Sequence, residues 1–250
     1  MAWCLGIVAY VGLIAAIFPS IEGSPELDDL LASYPEVLKS LFGIAEGSSI
    51  TSGPGYLDAE LFSFMLPLFV LALAIGSGAR TFAGEEDAGR LELLLSYPVR
   101  RRSAVLAKGL AVGAEVLVLC AAAGVAMLVL DPLFGLDLST GNIAAAAASL
   151  AAVGLLHGWL ALAVGAATAS RALAIGVPAG LAAAGYLVNG LHGIAGWLDP
   201  FRFVSPFWLV GSSPLQGGAD AWGAAAVIAA GAAVLLAGAL LVERRDLQTP

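Results

Sequence analysis

Charge is scarce in this sequence. Only 12% of its 250 residues are Asp, Glu, Lys or Arg, against about 25% in a soluble domain. Histidine and cysteine are rarer still, with two of each. Cys4 and Cys120 both lie in apolar runs, which excludes a disulfide framework and a zinc cluster. No Gly-x-x-x-x-Gly-Lys-Ser/Thr string occurs, so nothing here is built to cradle nucleotide phosphates. A basic stretch ahead of the first apolar run is also missing, which argues against a cleaved leader. What is abundant is apolar: 60% of the residues. A chain of this length keeps too much surface for one water-soluble core to hide that share. An ordinary soluble enzyme, a disordered tail and a fibrous repeat are excluded, and an integral membrane protein remains. The net charge of −8 disfavours nucleic acid as a partner, but its distribution along the chain says more than its total.

The predicted fold is all-α. A helix crosses a bilayer with about 20 apolar residues. Six runs qualify, at 1–18, 61–79, 104–130, 143–168, 172–194 and 221–242, and together they make one transmembrane domain over 1–250. The fifth holds Pro178, which membrane helices tolerate. Nine of the eleven basic residues fall on one side of this alternation. They are Arg80, Arg90, Arg100, Arg101, Arg102, Lys108, Arg171, Arg244 and Arg245, leaving only Lys39 and Arg202 opposite. The positive-inside rule then puts both termini in the cytoplasm, in a cell inner (plasma) membrane. The acids Glu22, Glu26, Asp28, Asp29, Glu36, Glu46, Asp58 and Glu60 crowd the opposite side.

Three connections carry further signals. In the external loop 19–60, Ser24-Pro25-Glu26 is a good helix start. Leu27, Leu30, Leu31, Tyr34, Leu38, Leu41 and Phe42 follow at helical spacing, with Pro35 inside the run. Either a cap over a translocation path or a helix lying on the membrane surface fits that pattern. Between spans five and six, Trp197, Phe201, Phe203, Phe207 and Trp208 are broken by Pro200, Pro206 and Pro214. Re-entrant or interfacial helices are expected there, with a plain aromatic belt as the alternative. The cytoplasmic loop 80–103 places three acids, Glu85, Glu86 and Asp87, at a helix start. Glu86 and Arg90 are four apart, Leu91, Leu94 and Leu95 make an apolar stripe, and Pro98 ends the element before three arginines. A short amphipathic helix so anchored suits docking to a soluble partner, or merely topology and anionic lipid.

This loop resembles the type-2 ABC exporter permease family, which follows its second span with a Glu-Glu…Gly…Leu-Glu-Leu-Leu…Pro…Arg string. The matching positions are Glu85, Glu86, Gly89, Leu91, Glu92, Leu94, Leu95, Pro98 and Arg101. Ser52-Gly53-Pro54-Gly55-Tyr56-Leu57, Ser205-Pro206-Phe207 and the ending Glu243-Arg244-Arg245-Asp246-Leu247 extend the resemblance over most of the chain. The resemblance implies a permease that pairs with a second half, identical or homologous. It also implies two copies of a separate ATPase subunit, which bind the ATP and magnesium. The loop would be the coupling helix seated on the ATPase, moving as a lever when the ATPase pair closes. One departure is the start at Met1-Ala2-Trp3, inside the first span, where the family has an amphipathic connecting helix. Either that element is truncated or this branch lacks it.

Two other readings compete. Glu85-Glu86-Asp87-Ala88-Gly89-Arg90 matches the EExxxR signature of CAAX-type intramembrane metalloproteases. Their Phe-x-x-x-His and His-x-x-x-Asn partners are absent, because Val153 and Val188 precede His157 and His192, and Ala161 and Gly196 follow them. An ion-coupled secondary transporter would show inverted repeats, and none is legible. Gly76-Ser77-Gly78 is similar to a rhomboid serine loop but reads as helix packing. No catalytic residue and no metal ligand is assigned. Ionisable and polar residues inside spans mark candidate path residues. These are Glu115, which either lines the path or pairs with Lys108, together with His157 and Asn189. Gly154 with Gly158, Gly165 with Ala169, and Gly176 with Gly180 are spaced for close helix contact. The expected cargo is an amphipathic or hydrophobic small molecule, moved outward.

Overall fold

A computed structural model describes residues 1–24, 33–35, 51–87 and 100–244. Among these, six helices are long and apolar enough to cross a membrane, and no strand occurs beyond one isolated bridge between Gly211 and Ala219. The six candidate spans run Ala2–Ser20, Gly53–Thr81, Arg101–Phe134, Thr140–Thr168, Arg171–Leu191 and Ala221–Leu241, and their long helices are α1 (Ala2–Ile17), α3 (Met65–Thr81), α5 (Arg101–Phe134), α6 (Thr140–Thr168), α7 (Arg171–Leu191) and α9 (Ala221–Leu241). Three short helices complete the order: α2 (Gly53–Leu57), α4 (Ala83–Asp87) and α8 (Pro206–Leu209). Single 3-10 turns lie at Phe18–Ser20, Pro214–Gln216 and Val242–Arg244, and a longer 3-10 segment at Asp199–Val204.

The long helices alternate in direction, which gives the bundle two ends. One carries Arg80, Arg100 to Arg102, Lys108 and Arg171, and is called the basic end here. The other carries α2, the turn after α5 and the segment 192–220, and is called the loop end. Local chemistry explains the boundaries. Ser170 caps α7 by accepting from Leu173 N, and Asp220 caps α9 by accepting from Trp222 N and Gly223 N. α5 stops at Gly135, whose φ of 64° suits a residue without Cβ and whose N–H returns to Asp131 O at 3.0 Å.

The second span is longer and less regular than the run 61–79 predicted. Helix begins at Gly53, where Ser52 caps α2, and widens by one residue per turn over Asp58–Phe62. It breaks at Phe64, whose φ of −145° is not helical, and resumes as α3. Pro67 is tolerated because it lies in the first turn of α3, where N–H groups have no helical acceptor.

α6 is the axis of the bundle. Its most apolar window is 72% buried, against 17% for α7 at the periphery. α3, α5, α7 and α9 all pack on it. Small residues make this possible. Where α3 crosses α6, a Cβ on Gly78 would lie 2.3 Å from the Gly158 carbonyl oxygen. Where α9 crosses, a Cβ on Gly238 would lie 2.7 Å from Ala163 Cα. Gly154 and Gly165 likewise sit at contacts, but Gly176 and Gly180 have nothing within 4 Å. The spacing that predicted close packing therefore holds for Gly154 with Gly158 and at Gly165 on α6, Ala169 being the left-handed residue that ends that helix, and not within this chain on α7. α6 is surrounded and α7 has one buried face only, so the same spacing meets a neighbour in one helix and open space in the other.

At the basic end, Phe82 is fully buried among Val105, Leu162, Ala166, Leu235, Ala239 and Val242. This locks the root of the connection after α3 to α5, α6 and the end of α9. Arg102 and Glu243 meet at 3.6 Å on the same end, both side chains more than 40% exposed. Such a pair contributes little. Arg102→Ala is expected to change stability by less than about 1 kcal/mol, measured as thermal unfolding in detergent.

Candidate functional site

Of the residues matched to the coupling loop, Glu85, Glu86 and Arg101 are described; Gly89, Leu91, Glu92, Leu94, Leu95 and Pro98 lie outside the described residues. So does most of the candidate helix in 19–60. α4 holds Glu85 and Glu86 and starts directly after the buried Phe82. Arg101 is the first residue of α5. Lys108, two turns further into α5, reaches back to this root. Its ammonium donates to the Glu85 carboxylate and to the Thr81 carbonyl oxygen, the latter at 2.7 Å. Its side chain is 13% exposed and that of Glu85 31%. Thr81 closes α3, so one ammonium ties three elements: the end of α3, the start of α4 and the first third of α5.

The expected alternative for Lys108, a pair with Glu115, does not form. Glu115 lies two turns further along α5 and takes a different donor, Ser77 Oγ on α3. Arg80 Nη2 in turn donates to Ser77 Oγ at 3.4 Å. Ser77 is buried while Glu115 and Arg80 are exposed, so the two charged groups flank one hydroxyl on an open face of the bundle. Helical rise puts Glu115 about 20 Å inward from Arg102.

His157 is elsewhere. It is 2% exposed in the middle of α6, with Nδ1 on Val153 O at 2.8 Å. A carbonyl only accepts, so Nδ1 carries the proton. The ring faces Phe207 at 6.3 Å between centroids. His192 sits at the loop end with Nδ1 3.4 Å from Asp199 and not hydrogen-bonded to it, while Asp199 accepts from Arg202 Nη1 at 2.7 Å. Arg202 lies over the rings of Phe203 and Trp208 at 4.8 and 5.3 Å. The two glutamates of the EExxxR string are thus at one end of the bundle, one histidine is in the core, and the other is at the far end. They are not brought together as a metalloprotease requires. Among the described residues no cluster of three or more His, Cys, Asp or Glu side chains suits a metal ion.

Asn189 lines a cavity of about 100 Å³ at the loop end. Three walls come from the bundle: Phe62 and Ser63 before α3, Ser149 and Val153 of α6, and Tyr186 of α7. The fourth is the segment between α7 and α9, through Phe207 and 210–214. That segment is held by side chains sequence reasoning passed over. Asp58 accepts from Leu215 N at 3.0 Å and from Gln216 N and Nε2 at 3.2 Å each. Asn142 donates to Leu215 O at 2.8 Å. Ser149 donates to Val210 O, and Ser205 to Gly185 O. Short helices do form between spans five and six, where aromatic residues and prolines predicted them. Trp197, Phe201 and Phe203 are exposed there, while Phe207 turns into the core. No local motif marks Asp58 for this clasp, because its partners are more than 150 residues away in sequence.

A family model described as an ABC-2 family transporter protein matches residues 3–247 of the chain. No curated protein and no solved structure matches it.

Proposed function

The chain belongs to the ABC-2 family of transporter proteins, whose members are membrane permease subunits, and from that premise we propose that it is the membrane-spanning half of an ATP-driven exporter. The observation that carries this reading is a family match spanning 3–247 on a bundle with six helices able to cross a membrane. Cargo would be an amphipathic or hydrophobic small molecule. A separate ATPase subunit, in two copies, would hold ATP and magnesium and hydrolyse it. A second permease half, identical or homologous, would complete the path. The basic end would face the cytoplasm, as the excess of Lys and Arg there favours, in a cell inner membrane.

The connection after α3 is the proposed coupling element. Its root is suited to passing on force. Phe82 wedges it into the core and Lys108 ties it to α3 and α5, so displacement of α4 cannot be absorbed locally. Glu115 and Arg80 support a path or a second half on the open α3/α5 face. A carboxylate within a membrane-spanning helix is costly against lipid and belongs beside water or protein. His157 and Asn189 contribute differently. His157 is a core contact behind the loop-end cavity, and Asn189 is part of its wall.

Purification of the full chain with the products of its neighbouring genes is expected to bring down an ATPase, and vesicles holding both should move cargo only with ATP and magnesium. A chain that purifies without any ATPase, and transports on a proton or sodium gradient alone, would sink the reading in favour of a secondary carrier.

A further inference from the structure

Asp58 is an unusual residue for a loop end. It is only 4% exposed. Its carboxylate accepts from three neutral donors, and no Lys, Arg or His pairs with it among the described residues. Removing a carboxylate from water is expensive unless a positive charge accompanies it. Asp58 also lines the cavity of about 100 Å³, and among the described residues no cationic side chain lines it and Asp58 is the one formal charge on its wall. The other walls are chosen for a cation rather than an anion. Tyr186 and Phe207 meet edge to face there at 5.8 Å and 86°, and Phe62 adds a third ring. Aromatic faces attract cations, most strongly away from water. Ser149 and Asn189 add oxygen acceptors.

We propose that this cavity binds the ammonium head of a cationic amphiphile, with Asp58 as its counter-ion and the Tyr186 and Phe207 rings as its apolar cage. The proposal names the cargo class of the permease and rests on that reading for its role in transport, though not for the binding itself. Volume decides how much of the ligand enters. About 100 Å³ suits a methylated or primary ammonium group, whereas pockets that enclose a whole drug-sized ligand measure about 300–1,000 Å³. The apolar tail therefore stays outside the cavity. A hard metal ion is a poorer occupant. It wants about six to eight oxygen ligands, carboxylates prominent among them, and among the described residues this wall offers a single carboxylate beside neutral hydroxyl and amide oxygens.

The test uses choline and its uncharged isostere 3,3-dimethylbutan-1-ol, titrated into the full chain in dodecyl maltoside micelles and read by saturation-transfer NMR. Choline should bind saturably and the isostere should not. Asp58→Asn should abolish binding, and Tyr186→Leu should weaken it about tenfold. Asp58 also holds the 214–216 turn; should Asp58→Asn fail to fold, Tyr186→Leu, which touches none of the three Asp58 hydrogen bonds, decides alone. The proposal is overturned by any of four results: no saturable choline binding, equal binding of the uncharged alcohol, displacement of choline by equimolar sodium, or wild-type affinity in the folded variants. None of these readouts involves an ATPase, so their failure is distinct from failure of the permease reading.

Discussion

Gly78→Ala should cost more than about 3 kcal/mol and remove most of the folded protein. Overpacking of a close contact typically costs about 1–3 kcal/mol when side chains can shift. Here the new methyl would stand 2.3 Å from the carbonyl oxygen of Gly158 and 3.0 Å from Leu162 N, both backbone atoms of the central helix. Backbone cannot step aside without moving α6, on which α3, α5, α7 and α9 all pack. Gly176→Ala is the matched control. It adds the same methyl to a membrane helix at a point with nothing within 4 Å, where alanine is the better helix former by up to about 1 kcal/mol. Monodisperse yield by size-exclusion chromatography and thermal unfolding in detergent should separate the two. Equal stability of both variants would mean that α3 and α6 do not cross at these glycines.

Lys108→Ala should uncouple ATP hydrolysis from transport. The Glu85 carboxylate would lose its ammonium, and the Thr81 carbonyl would lose its donor. Loss of hydrogen bonds to a charged partner at partly buried positions costs about 1–3 kcal/mol. Coupling between distant sites changes by about 0.5–2 kcal/mol when an intervening contact is broken, which is roughly two- to thirty-fold in transport per ATP. Glu85→Ala should do the same, and the charge swap Glu85→Lys with Lys108→Glu should recover part of the loss. Transport and hydrolysis measured together in the same vesicles read the ratio directly. An unchanged ratio in both single variants would remove the latch from the coupling route and leave it as a packing contact.

Much of this was legible from the chain alone, for a local reason. Whether a stretch crosses a bilayer depends on the summed transfer cost of its own residues, so the six apolar runs matched six helices. Boundaries fared worse where structure overrode composition. The second span begins at Gly53 because a widened turn carries the polar residues Asp58 and Glu60 within continuous helix.

The pairing of side chains was a different matter. Lys108 and Glu115 stand seven residues apart on one helix and suggested a pair, yet rotation of α5 against α3 sends Lys108 to Glu85 and Glu115 to Ser77. Asp58 read as one more acid of an outer loop, until the fold brought Leu215 and Gln216 to it. Gly158 and Gly176 were alike in spacing and differ entirely in surroundings. Amino-acid composition and order alone determined that the chain carries six stretches able to cross a membrane and which way its charge is distributed, because those follow from hydrophobic free energy and charge placement along the backbone; the family was legible separately, in the motif string after the second span. Only the tertiary structure decided which helix is central, which polar groups meet and where a cavity opens, because these depend on how each helix is turned about its axis.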